Sequence, residues 1–157
     1  MQNKTKGGNH VKTEQQYFEQ GIPMAEYMNN MKTNLKEGSF EIYNNFTIDE
    51  NDELIKLLKE KKPHILAITE DWCGDAMLNN PIIRKIAEAA QLEIRCVYRD
   101  EDTDLIDRYL TNGGRAIPIY LFLDQNGQVI GKWGPRAPQL QQLVTEARAQ
   151  LPEKDDV

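Results

Sequence analysis

The order in which hydrophobic periodicity changes after residue 63 constrains this chain more than any other feature. HILAIT (64–69) is a short, nearly continuous apolar run, the pattern of a strand covered on both faces. DAMLNNPIIRKIAEAA (75–90) then repeats at helical spacing, with Leu78, Ile82, Ile86 and Ala89 on one stripe and Pro81 expected to kink it. EIRCVYR (93–99) alternates, Ile94, Cys96 and Tyr98 against Glu93, Arg95 and Arg99, and reads as an edge strand with one wetter side. A helix over TDLIDRYL (103–110) is stopped by Asn112, Gly113 and Gly114. PIYLFLD (118–124), the turn QNG (125–127) and QVIGKWG (128–134) form a β-hairpin. A last helix over 138–151 sets Leu140, Leu143, Val144, Ala147 and Leu151 on one face. The order is βαβαββα, an α/β class, and the first two strands must be parallel because a helix crosses between them. The expected sheet order is 93–99, 64–69, 118–124, 128–133.

Upstream, NDELIKLLKEK (51–61) is a helix expected to bury Leu54, Leu57 and Leu58, ended by Pro63. Pro23 suits a first helical turn, and Met24, Tyr27, Met28, Met31 and Leu35 share one face up to a stop at Gly38. A methionine-rich face at helical spacing reads as core packing rather than as an adaptable binding stripe. The division expected is a disordered N-terminus (1–12), a helical extension (13–46), an α/β domain (47–152) and a solvated tail (153–157).

Composition narrows the function. Lys plus Arg number 19 and Asp plus Glu 25, a net charge of −6, and no basic cluster offers a surface to nucleic acid or to an anionic membrane. No run approaches the ~20 apolar residues of a spanning helix. MQNKTKGGNHVKTEQQ lacks the apolar middle of a secretory signal, so a cytoplasmic protein is expected. Its cysteines are then free rather than bridged. Cys73, Cys96, His10 and His64 lie too far apart in sequence to suggest a metal site, and no cofactor is expected.

The residues DWCGDAMLNNP resemble the Trp-Cys-Gly-Pro-Cys active-site segment of the thioredoxin family, including a proline eight positions after the cysteine, here Pro81. GGRAIPIYLFLDQNGQVIGKWG resembles that family's stretch from its cis-proline to the glycine past its terminal hairpin. The sequence is also similar to a branch with Asp-Trp-Cys-Gly-Asp at this turn and a helical N-terminal extension. The resemblance covers residues 64–151 and implies a three-layer thioredoxin-like fold with Cys73 as nucleophile. It further implies a cis Pro118 that presents the backbone of Ile117 to an extended substrate. Trp72, Gly74, Asp75, Ile117, Pro118, Trp133 and Gly134 are the implied substrate-binding residues, with Trp72, Ile117, Pro118, Trp133 and Gly134 as an apolar rim. Trp133 is equally compatible with packing on the terminal helix, and Asp75 with simple stabilisation of the first helical turn.

Two departures from the family limit the chemistry it implies. The family's second cysteine falls on Ala76, and its buried aspartate falls on Ala67. Strand geometry puts Cys96 more than roughly 10 Å from Cys73, beyond disulfide reach, so Cys96 reads as core filler. At a helix N-terminus Cys73 can exchange with disulfides without a partner thiol, although Glu70, Asp71 and Asp75 oppose its ionisation. The expectation is a monothiol exchange protein acting on protein disulfides or low-molecular-weight thiols. The competing reading is a thioredoxin-fold binding or chaperone-like module without turnover.

Overall fold

Strand β2 (His64–Thr69) lies at the middle of the sheet, and its apolar run is continuous because both faces are covered. Ile65 and Ala67 face one hydrophobic cluster, Leu66 and Ile68 the other. The computed structural model describes residues 11–135 together with 140, 142, 143 and 145. Within them the chain runs α1 (Glu14–Gln20), β1 (Ile22–Pro23), α2 (Met24–Asn29), α3 (Leu35–Asn45), α4 (Glu53–Lys61), β2, α5 (Gly74–Ala90), β3 (Ile94–Tyr98), α6 (Thr103–Ile106), β4 (Ile119–Leu123) and β5 (Val129–Trp133). Helices α2 to α5 cover one face of the sheet, α1 and α6 the other, a three-layer thioredoxin-like fold.

The sheet order is β1-β3-β2-β4-β5, with β3 parallel to β2 and the other pairs antiparallel. The expected core order is present, but β3 is not an edge. Ile22 and Pro23 pair outside it, opposite Cys96 and Arg95. Two residues carry no periodicity, so the sequence could not announce this strand. The alternation in β3 has another cause: Arg95 lies over the Phe18 ring at 4.9 Å and donates to the Phe18 and Glu19 carbonyls.

The extension also differs from its expected single helix over 23–38. The chain leaves α2 at Asn30 and re-enters helix at Leu35, running through Gly38. A side chain at Gly38 would put Cβ 3.2 Å from the Met77 sulfur, so the glycine sets the close approach of α3 to α5 rather than a stop. That approach repairs the helix at Pro81. A proline there has no N–H for the Met77 carbonyl, and the buried Ser39 hydroxyl donates to that carbonyl at 3.0 Å instead.

Smaller corrections come from packing. In α4 the buried residues are Ile55 and Leu58, whereas Leu57 is exposed. In α5 Leu78 and Ala89 are only half-buried, and Ile83 and Ala87 are buried beside Ile82 and Ile86. Helix α6 stops at Ile106 and gives way to turns. Most of the helix expected over 138–151 lies outside the described residues, as do residues 1–10 and the tail. Residues 140, 142, 143 and 145 are helical, with Leu140 buried in the cluster under α5.

Candidate active site at the Cys73 turn

Thr69 ends β2 and Gly74 starts α5, so residues 70–73 must turn the chain at the end of the sheet. Cys73 is the N-cap of α5, with extended backbone (φ −89°, ψ 122°) and no capping bond from its side chain. Its thiol instead points at the Ile117 carbonyl, Sγ to O 3.8 Å. The turn closes on itself through the Cys73 N–H, which donates to the Glu70 carbonyl at 3.3 Å. Cys73 is half-buried against the cluster that holds Ile117. First-turn amides and the helix dipole favour negative charge at this position.

The extension holds the turn from outside. Thr33 Oγ1 donates to the Asp71 carbonyl at 2.8 Å, and the Lys32 N–H donates to the Asp71 carboxylate at 3.0 Å. Asp71 is thus engaged by a backbone amide, a role that requires the break between α2 and α3. Glu70 is 8% exposed, and its carboxylate accepts the Asp100 N–H at 2.8 Å. Burial pushes that carboxyl above its ordinary range, an effect the Asp100 hydrogen bond opposes. Asp75 lies half-buried in the first turn of α5.

Beneath the turn runs a buried chain of neutral hydrogen bonds. The Tyr120 hydroxyl donates to Asn80 Oδ1 at 2.7 Å, Asn80 Nδ2 donates to Thr69 Oγ1 at 3.0 Å, and Tyr27 and Thr69 share a hydrogen bond of 3.2 Å. Burial raises the Tyr120 and Tyr27 phenols, so both stay protonated. The chain ties α2, β2, α5 and β4 together without an ionisable acid, next to Ala67, which is fully buried.

Some of the expected site residues are brought together and others are not. The Ile117–Pro118 peptide is cis, and both residues are buried. Gly134, at φ +101°, lies so close to this loop that a Cβ would stand 2.3 Å from the Pro118 oxygen, a position only glycine can hold. Around Gly74 there is open space. Trp72 is 52% exposed, the one strongly exposed member of the expected rim. Trp133 lies elsewhere: its ring meets Phe122 edge-on at 4.6 Å, on the α4 side of the sheet, in the cluster opposite that of Ile117 and Cys73. It follows the pleat of β5, where it stands opposite Tyr120.

Cys96 has 2% exposure and packs in the cluster under α5, its sulfur 3.4 Å from that of Met24. It therefore occupies the other face of the sheet from Cys73. Sequence reasoning missed Arg99, whose guanidinium stands 5.1 Å from the centre of the Trp72 ring. It also missed Ser39, Asn80 and Tyr120, because their value lies in partners remote along the chain. Among the described residues no three of His, Cys, Asp and Glu are grouped as metal ligands, and no helix is long and apolar enough to cross a membrane.

The comparisons agree with this architecture. A family model described as Thioredoxin matches residues 21–148. No curated protein matches the chain. A crystal structure at 1.5 Å of a protein of unknown function from Pseudomonas aeruginosa is similar, with a TM-score of 0.64 and 16% identity. The alignment covers 88% of this chain and 96% of that one. An HIV epitope-scaffold is similar with a TM-score of 0.66 and 14% identity, over the same shares of each chain. At these identities the likeness is one of fold.

Proposed function

The chain belongs to the thioredoxin family, and on that premise we propose that it is a thiol–disulfide exchange protein of the Asp-Trp-Cys-Gly-Asp type, with Cys73 as its single reacting thiol. The observation that carries this reading is the placement of Cys73: half-buried at the N-terminus of α5, its sulfur directed at the Ile117 carbonyl beside Pro118. A thiol so placed is reachable by a disulfide. One turn further along α5, where a second thiol would stand, Ala76 is fully buried.

The cycle then needs an external thiol. Cys73 thiolate attacks one sulfur of a disulfide, a new S–S bond forms as the old one breaks, and the leaving thiolate takes up a proton. A low-molecular-weight thiolate next attacks the mixed disulfide, joins the substrate fragment and returns Cys73 as thiolate. The substrates of this reading are protein disulfides or mixed disulfides of small thiols, met in the cytoplasm. Exposed Trp72 and the open space beside Gly74 are the approach to Cys73.

Two measurements test it. Native protein supplied with a mixed-disulfide peptide and an excess of small thiol should turn over, with a Cys73 adduct visible by mass spectrometry. Absence of that adduct, together with a thiol titrating near the unperturbed ~8.5, would favour a binding module. Robust insulin reduction with thioredoxin reductase as sole electron source would refute the single-thiol cycle.

A further inference from the structure

Arg99 comes directly after the last residue of β3, and its backbone N–H still pairs with the Thr69 carbonyl at 3.0 Å, so its main chain is fixed beside the end of β2. Its side chain reaches two further segments of the site. The guanidinium lies over the Trp72 ring at 5.1 Å, and Nη1 donates to the Arg115 carbonyl at 3.0 Å, in the loop that leads to Ile117 and Pro118. The remaining donors hold Asp100 in a fork, Nε to Oδ1 2.8 Å and Nη2 to Oδ2 3.1 Å.

We propose that Arg99 is a positioning residue for Cys73, its guanidinium joining the thiol-bearing turn to the Ile117 loop and supplying the positive charge that stabilises the Cys73 thiolate among the surrounding carboxylates. The inference rests on the reading of Cys73 as the reacting thiol. The charges around the turn support it. Glu70 and Asp71 lie on the turn itself, Asp75 on the first turn of α5, and Asp100 and Glu101 just after β3. Tyr120 stands beneath from β4 and Tyr98 closes β3, both held neutral by burial. Among the described cations, Arg115 is engaged by Asp107 at 2.7 and 3.1 Å, and Lys32 meets the turn through its backbone. Arg99 instead lays its guanidinium over Trp72, the residue next to Cys73, and its hydrogen bonds to Asp100 are the main cause that favours its charged form. Asp100 weakens its field, so removing Asp100 and removing Arg99 must act with opposite signs.

The test is the pH dependence of Cys73 alkylation by iodoacetamide, a neutral probe, monitored by mass on the full chain. Arg99→Gln should move the inflection upward by about half a pH unit, roughly a threefold loss of rate below the inflection. Arg99→Lys should recover most of that shift. Asp100→Asn, an exposed change that leaves the fold intact, should move the inflection downward. An unmoved inflection in Arg99→Gln, an equal shift in both Arg99 variants, or an upward shift in Asp100→Asn would each overturn the proposal. Alkylation does not require turnover. A protein that fails to exchange disulfides yet shows these shifts refutes the proposed function alone, and one that exchanges normally with no shift refutes only the role of Arg99.

Discussion

Cys73 and Cys96 belong to opposite faces of one sheet, and the comparison shows what gives a thiol its chemistry. Cys96 stands inside a strand, walled by Met24 and the helices over it, and burial alone pushes its thiol far above the ordinary value. Cys73 stands where a strand has ended and a helix begins, half-buried against the opposite cluster with its sulfur directed at a loop carbonyl. Residue type is the same. The difference is made by position along the chain: Cys96 faces a hydrophobic cluster from within a strand, whereas strand ends must expose turns.

The largest expected effect comes from exchanging which thiol is removed. Cys73→Ser should abolish iodoacetamide labelling of the folded protein and all disulfide exchange. Cys96→Ala should leave both intact and lower stability by about 1 kcal/mol through a small cavity. Rapid labelling of Cys96 in folded Cys73→Ser, read by mass, would break the contrast. An internal Cys73–Cys96 bond formed rapidly on oxidation would break it as well.

Next in size is Ala76→Cys, which places a second thiol one helical turn from Cys73. Mild oxidation should then remove two hydrogens within one chain, whereas the parent gives adducts or a dimer through Cys73. Insulin reduction in dithiothreitol should rise by about an order of magnitude, because resolution becomes intramolecular. An unchanged mass after oxidation would show that α5 does not offer the pair geometry.

A third prediction concerns the neutral chain that lies between the two regions. Asn80→Ala strips a partner from Tyr120 and from Thr69, both buried. It should cost about 2–4 kcal/mol in urea unfolding, since orphaned buried groups lose more than a hydrogen bond's net worth. A loss confined to a few tenths would mean that water replaces the amide.

The smallest effect is a pH dependence at Glu70, on the Cys73 side. Its folded carboxyl is raised above the unfolded value, burial being the leading cause. Its contribution to stability is therefore present below the unfolded pKa and lost as pH rises through the raised folded one. Glu70→Gln keeps an acceptor for the Asp100 N–H and removes the charge. Its stability relative to the parent should improve as pH rises above the ordinary glutamate value of about 4, and a difference in urea midpoints that falls as pH rises would reverse the assignment.

The order of elements from β2 to β5 is legible in the residues alone, because a continuous apolar run, a 3.6-residue stripe and a hairpin turn are local signals that packing then reinforced. So are the place of a cysteine at the start of the crossover helix and the inability of Ala67 and Ala76 to act on protons or sulfur. Tertiary structure decided the rest. The two-residue β1 exists only because β3 offers an open edge, and the break after α2 only because Asp71 accepts from Lys32 and Thr33 holds its carbonyl. Trp133 turns away from the site because strand pleating, not proximity in sequence to Gly134, fixes its face. Arg99 gains its contacts from segments 27 residues before it and 16 after it, Trp72 and Arg115. No periodicity encodes such meetings, since they depend on where separate strand ends come to lie along one edge of the folded sheet.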